Sequence, residues 1–406
     1  QIRLTGVQRY KGGVRVTMLC GFRALEDYRR KAESTGCISS ALCVKEEDVA
    51  QGVERMPVIG VVDKAHFKIQ TKMKLLGILF LLCVLTMPVL AQDHCRIMFY
   101  NVENLFDTAD DPSTADDEFT PRGKKHWTKA KYTDKLLKIA EVIDSVGDKE
   151  LPCIIGLAEV ENRWVLEDLT QKTALADGKY GIVHQDSPDC RGIDVALLYR
   201  KDCFELLETD FLRLSFPEDT TIRTRDILYA SGVLDSDTLH FFVCHFPSMI
   251  GGEKQSEWRR ERAASTVRHK VDSLLAVQSR AGIVIMGDLN GKANTPAQKV
   301  LGTKSSDKKP RCKDLYNTGY YLLKKNYGSY RYKGNWQTID HLILSGALLD
   351  GHSVWKADRR LTVFSASFLL EEDKTYFGYK PCPTYRGPRY VGGYSDHLPI
   401  YIDLKK

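Results

Sequence analysis

No apolar run in this 406-residue chain reaches the roughly 20 residues that a membrane-spanning helix needs. The longest, Leu75 to Ala91, falls short of it. The chain shows no internal repeats, and no linker long enough to divide residues 92–406, so that stretch is expected to form one domain. Of its 11 cysteines, seven follow residue 92: Cys95, Cys153, Cys190, Cys203, Cys244, Cys312 and Cys382. An odd number at irregular spacing is neither a disulfide framework nor a zinc signature. Cys153 and Cys244 sit in apolar runs, where a thiol serves as a small core hydrophobe. An oxidising compartment leaves room for one or two disulfides. Charge of one sign is also missing. Residues 1–74 hold 14 Lys and Arg against 8 Asp and Glu, which accounts for the whole net charge of +6. From Gln92 onward the signs balance, so net charge gives no support to a nucleic-acid partner. Any binding of a polyanion must come from a local patch.

What is present begins with a leader-like segment. Met73-Lys74 supplies a positive start, Leu75 to Leu85 an apolar centre, and Pro88-Val89-Leu90-Ala91 a small residue before a cut ahead of Gln92. This is the layout of a secretory signal over residues 73–91, and it predicts a secreted or periplasmic protein. A retained anchor is the alternative. A leader should open a protein, yet 72 residues precede Met73 and the first is Gln1. The economical reading places residues 1–72 upstream of the working protein, without a clear fold or function. A cytosolic extension before an anchor is the other.

Beyond the leader, strand-like and helix-like stretches alternate. Leu136, Ile139, Ala140, Ile143 and Val146 recur at helical spacing within Lys131 to Val146, and Gly147 ends the run. Glu253 to Ser279 reads as one long amphipathic helix. Cys95–Tyr100, Pro152–Ala158, Ile193–Tyr199, Ile283–Met286, Ile339–Leu344 and Leu398–Ile402 read as strands. Ile227–Leu234 and Thr238–Phe246 flank Asp235-Ser236-Asp237, a hairpin signal. Tyr379 to Gly393 is rich in Pro and Gly and reads as a surface loop. Hairpins mixed with strand–helix alternation predict an α+β protein whose mixed sheets are covered by helices.

Polar residues recur where apolar strands end: Asn101, Glu159, His245, Asp288 with Asn290, and Asp396 with His397, while Asp340 opens a strand. Each alone has an ordinary explanation as a cap, a turn residue or a satisfied core histidine. Together, carboxylates, amides and two histidines make an oxygen-rich cup for a hard divalent cation beside an acid/base pair. That is what phosphoester hydrolysis requires.

The motifs Asn101-Val102-Glu103-Asn104, Leu157-Ala158-Glu159-Val160, His245-Phe246-Pro247-Ser248, Gly287-Asp288-Leu289-Asn290, Ile339-Asp340-His341 and Ser395-Asp396-His397-Leu398-Pro399 follow one another in a telling order. In them the chain, over roughly residues 95–403, resembles the endonuclease/exonuclease/phosphatase superfamily with its deoxyribonuclease I-like fold. The resemblance implies a four-layer α/β sandwich, two mixed sheets face to face with helices outside. It assigns Glu159 to a divalent metal, magnesium first with manganese or calcium as alternatives, and Asn101 and Asp396 to the metal region. It assigns Asp288 and Asn290 to the attacking water and the phosphate, and His397, oriented by Asp340, to phosphate contact and proton transfer. A second histidine at His245 fits a general phosphodiesterase better than an abasic-site specialist, because it could protonate the leaving oxygen.

Around these motifs, Arg191 and Asp194 precede a cleft-lining strand and are candidates to hold substrate or to pair with His245, with a simple surface ion pair as the plain reading. Arg223, Arg225 and the run Arg259-Arg260-Glu261-Arg262 are candidates for a phosphate patch, with a solvated helix face as the plain reading of the run. Glu161 is either a supporting carboxylate or a helix-start residue. Tyr330 to Trp336 interleaves aromatics with basic residues and could stack on a base, or pack into the core. The resulting expectation is an exported, metal-dependent endonuclease on DNA or RNA, monomeric and without an obligate protein partner. A phospholipid or small phosphoester substrate is the alternative, against which counts the lack of an evident aromatic hairpin; a non-catalytic binding module comes last.

Overall fold

The computed structural model describes residues 2–10, 13–20 and 93–406. The chain divides into two compact units, Gln1–Leu90 and Ala91–Lys406. In the first, Ile2–Tyr10 and Gly13–Cys20 pair as antiparallel strands, a hairpin in a stretch read from sequence as having no clear fold. The leader over residues 73–91 lies outside the described residues.

The second unit runs, in chain order, through β1 (His94–Leu105), α1 (Lys129–Gly147), β2 (Ile154–Val160), α2 (Arg163–Gln171), β3 (Tyr180–His184), β4 (Asp194–Arg200), β5 (Phe204–Leu212), β6 (Ile227–Leu234) and β7 (Asp237–His245). It continues through α3 (Glu253–Val277), β8 (Gly282–Asp288), α4 (Pro296–Leu301), β9 (Thr303–Ser305), β10 (Leu315–Asn317), β11 (Asp340–Ser345), β12 (Lys356–Ala357), β13 (Thr362–Val363) and β14 (Ile400–Lys405). One sheet has the order β12-β14-β1-β2-β4-β3, with β13 also pairing β14; the other has the order β9-β10-β11-β8-β7-β6-β5. Both are mixed: β1 and β2 are parallel, as are β7 and β8, among otherwise mostly antiparallel neighbours.

The apolar strand runs are continuous because both faces of the central strands are covered. On β8, Val284 and Met286 join the core between the sheets, with Phe99, Leu157 and Leu342. The alternate residues Ile283 and Ile285 meet Ala263, Val267 and Val271 of α3 on the outer side. Helix α1 starts at the Thr128 cap and buries Leu136, Ile139, Ala140, Ile143 and Val146. The layers are therefore helix, sheet, sheet, helix, the four-layer sandwich. Gly156 marks where the sheets close on each other, since a Cβ there would lie 2.4 Å from Met286 Sδ.

Two expectations change. Strand β1 runs on past Tyr100 to Leu105, carrying Asn101 with it. The segment read as a surface loop, Tyr379 to Gly393, holds short ribbons, Tyr379–Pro381 against Leu370–Glu372 and Tyr385–Arg386 against Arg389–Tyr390. No helix among the described residues is long and apolar enough to cross a membrane.

Candidate active site

The site begins as a matter of register. Strands β7, β8 and β11 lie side by side, with His245 opposite Asp288 and Asp288 opposite Asp340. Three strand ends thus set an imidazole and two carboxyls at one level. Gly287 permits the close approach of β7, because a Cβ on it would lie 2.1 Å from the Cys244 carbonyl oxygen. In the other sheet Asn101 of β1 lies beside Ala158 of β2, the residue before Glu159. Glu103, Asn104, Glu159 and Asn290 all adopt positive φ, 52°, 56°, 63° and 47°. Such left-handed non-glycine residues carry strain, and clusters of them gather at functional sites.

The side chains then converge. His397 Nδ1 shares a hydrogen bond with Asp340 Oδ2 at 2.8 Å, and Ser329 Oγ donates to that same oxygen. His397 Nε2 faces Asp288 Oδ2 at 3.8 Å, and His245 Nε2 faces that oxygen at 3.8 Å from the other side. His245 Nε2 is also 3.9 Å from Glu159 Oε1. Asn101 Nδ2 donates to Asp288 Oδ2 at 3.2 Å, and the Asn290 amide nitrogen of the backbone donates to Asp288 Oδ1 at 2.9 Å. Asn290 Nδ2 donates to the Phe246 carbonyl at 2.9 Å. Ser395 Oγ donates to the Asn101 carbonyl and accepts from the His397 backbone N–H, joining the early and late parts of the second unit.

Glu159, His245, Asp288, Asn290, His397, Asp396 and Tyr330 line a cavity of about 720 Å³. The Tyr330 ring sits 4.9 Å from that of His397. Burial, then the nearby Asp340, pushes the Asp288 carboxyl up to about 7. Burial works against a charged His397, yet Asp340, Asp396 and Asp288 together hold its imidazole well above the usual range. His245 goes the other way: burial, Arg225, Arg191 and His397 hold it well below. The two imidazoles therefore sit in opposite states, one charged and one neutral.

Of the expected substrate contacts, Arg191 lines the cavity, donates to Asn104 Oδ1 and lies 3.7 Å from Glu159 Oε2. Arg225 is a strut. Its guanidinium, buried, donates to the His245 and Phe246 carbonyls at 2.9 Å each and to Asp189 Oδ2 at 3.0 Å, which leaves little of it for a phosphate. Asp194 is engaged with its own neighbours. Its carboxylate accepts from the Ser187 backbone and hydroxyl and faces His184 at 3.6 Å. Glu161 accepts from the Asp107 backbone N–H at 2.6 Å. Arg260 is wholly buried and bound to the carbonyls of Pro247, Ser248 and Glu253, so it is no part of a phosphate patch.

Sequence reasoning passed over a buried cation below the cup. Lys135, on the core face of α1, donates to Thr384 Oγ1 and to the Tyr394 carbonyl, both at 2.6 Å. Burial lowers its ammonium to about 8, and burial raises the neighbouring Glu103 to about 7. A lysine at a core position of an otherwise apolar helix stripe was the available signal.

The donors fit a hard divalent cation. Glu159, Asp288 and Asp396 enclose three carboxyls in one space, and burial together with their mutual repulsion raises both aspartates. A cation relieves that repulsion, and the oxygens of Glu159, Asn101 and Asp396 would hold it. Asp288, Asp340 and His397 also bring ligand atoms within 4.8 Å of one another. There, however, the hydrogen bond between His397 and Asp340 already occupies one atom of each, which suits proton handling rather than metal capture.

A paired-sheet sandwich with imidazoles and carboxyls at its strand ends is the architecture of a phosphoester hydrolase. Residues 96–406 match the Endonuclease/Exonuclease/phosphatase family, and the chain belongs to it. No curated protein matches. Among solved structures, a humanized D. rerio TDP2 is similar at 13% identity and a TM-score of 0.48, covering 78% of this chain and 100% of that one. The mannosyl-6-phosphatase of Bacteroides thetaiotaomicron is 17% identical over 77% of this chain and 100% of its own, with a TM-score of 0.47. The catalytic domain of human Nocturnin, with bound sulfate, is 18% identical over 77% and 95%, with a TM-score of 0.46.

Proposed function

We propose that the protein is a magnesium-dependent phosphodiesterase, exported by its leader and acting on DNA or RNA. The observation that carries this reading is Asp288 Oδ2, placed 3.8 Å from the Nε2 atoms of both His245 and His397. A phosphate in the cavity that these atoms line meets a charged imidazole, a neutral one and a carboxylate. Asp288, raised to about 7, is matched to general-base work near neutrality. It takes the proton of the attacking water as the new P–O bond forms. The leaving oxygen takes a proton as its own P–O bond breaks, and His397, held as imidazolium by Asp340, has one to give. The sequence-based reading offers that proton from His245; here it comes from His397, because burial favours a neutral His245, suited to accept a hydrogen bond. A cation on Glu159, Asn101 and Asp396 would neutralise charge building on the phosphate.

The test is cleavage of plasmid DNA and of RNA by the purified protein with magnesium. Nicking that stops with EDTA, and in Glu159→Ala and His397→Ala, is expected. A clean negative on both polymers overturns the reading.

One observation favours the phospholipid alternative. Phe377 is 82% exposed and Tyr379 63%, on the hairpin that pairs Leu370–Glu372 with Tyr379–Pro381, and Tyr332 beside it is 51% exposed. Arg331 clamps that hairpin by donating to the Phe377 and Tyr379 carbonyls. An aromatic-tipped hairpin is thus present that was not evident in the sequence. Release of phosphocholine from sphingomyelin without nicking of DNA decides for it.

A further inference from the structure

The cavity around His397 does not end at the catalytic groups. Lys292 and Gln337 line it, and both also line a second cleft of about 410 Å³ next door. Lys292 follows Asn290 of the catalytic turn by two residues, so the second cleft adjoins the catalytic one. Its other walls include Lys324, Lys325, Tyr327 and Trp336.

Three features of this cleft need an occupant. Lys292, Lys324 and Lys325 are exposed, and among the described residues none makes an ion pair. Lys325 Nζ rests 5.3 Å over the Tyr321 ring, and three ammonium groups without an acidic partner round one cleft make a local positive field on a unit whose charges balance overall. Trp336 brings a large ring to the same cleft; it is half-buried, 5.9 Å from Tyr327, with the Arg331 guanidinium 5.9 Å from its ring. It stands on the return strand of the ribbon Tyr330–Tyr332/Asn335–Gln337, whose first residue packs on His397. One rigid ribbon therefore connects the reacting imidazole to a lysine-rimmed aromatic wall.

We propose that this cleft binds the continuing strand of a single-stranded polynucleotide. The phosphate next to the scissile one sits among Lys292, Lys324 and Lys325, and a base stacks on Trp336. The inference rests on the phosphodiesterase reading and narrows it. A small phosphoester is fully housed by the first cavity, whose 720 Å³ lies within the roughly 300–1,000 Å³ of small-molecule sites, and leaves the second cleft without a role. A chain with a charge at every link uses both. A duplex hides the base faces that an aromatic ring needs, whereas a single strand offers them.

The experiment uses the full chain in EDTA with a fluorescein-labelled dodecathymidylate, read by anisotropy, so that binding is measured without cleavage. Lys324→Gln/Lys325→Gln should weaken binding about tenfold at low salt and make the log–log salt dependence shallower by about 1.4, or 0.7 per lysine. Trp336→Ala should weaken it at least about fivefold, the lower end of one stacked base. With magnesium, the double-lysine variant should hydrolyse bis(p-nitrophenyl) phosphate at the rate of the unaltered protein while its KM for the dodecamer rises. Unchanged oligonucleotide binding in the double-lysine variant overturns the proposal even if DNA is cut. Loss of binding to phosphatidylserine vesicles, with oligonucleotide binding intact, also overturns it and moves the lysines to a lipid surface. Failure of the unaltered protein to hydrolyse any diester is a different result, and removes the phosphodiesterase reading itself.

Discussion

Asp340 shows how much one carboxylate can decide. It holds His397 Nδ1, receives Ser329 Oγ, and helps raise Asp288. Asp340→Asn keeps the shape but removes the charge that keeps His397 protonated. Activity should fall by roughly 10² or more, and the pH at which the imidazole loses its proton, read by NMR of the ring, should move down. Asp288 makes a second prediction, about stability. In the folded chain its carboxyl is raised from 3.8 to about 7, so it keeps a proton that the unfolded chain has already lost. Its contribution favours folding below about pH 4 and is gone above about pH 7. In EDTA, the stability of the unaltered protein minus that of Asp288→Asn should therefore decline as pH rises across that range; denaturant midpoints at pH 4.5 and 7.5 measure it. A flat difference would show that the carboxyl is not enclosed as described. The catalytic residues were the legible part of the sequence, since an Asp or His closing an apolar strand stands out. Arg225, Asp194 and Lys135 were not, because a polar residue near a site reads alike whether it faces substrate, a carbonyl or a buried partner. Only three-dimensional neighbours tell these apart.

At the level of elements, the strand pairing between β7 and β8 is the sensitive joint. Gly287→Ala would drive a Cβ into the Cys244 carbonyl, which is backbone and cannot step aside like a flexible side chain. A loss of about 1–3 kcal/mol is expected, measured by denaturant unfolding. Activity should drop further than that figure alone suggests, because the same shift separates Asp288 from His245. Substitution at Gly156 should be milder in comparison, since the atom it meets, Met286 Sδ, belongs to an adaptable side chain. The principal strands and helices were readable from periodicity: Glu253 to Ser279 against the observed Glu253–Val277, and Ile227–Leu234 unchanged. Short ribbons such as Tyr385–Arg386 were not. Two or three residues carry no period, and Pro/Gly-rich sequence looks the same in a ribbon as in an open turn.

For the whole molecule, the enclosed carboxyls tie stability to the cation. Removing divalent ions leaves Glu159, Asp288 and Asp396 facing one another without compensation. Magnesium should raise Tm, and should do so by about 2.7 kcal/mol of added stability at a concentration 100 times its Kd. Glu159→Gln should blunt the increase. A Tm indifferent to magnesium, manganese and calcium would count against the cup.

Asn101 stands near the beginning of the second unit and His397 near its end, and they reach the same few ångströms from neighbouring strands of one sheet, β1 and the lead into β14, while His245 and Asp288 meet them from the other sheet. No contiguous fragment between them contains a complete catalytic apparatus. A protease that nicks the chain midway, or heat that merely loosens one layer from the other, should silence turnover while circular dichroism still reports intact strands. Enzymatic rate is then a gauge of tertiary assembly, finer than any measure of secondary structure.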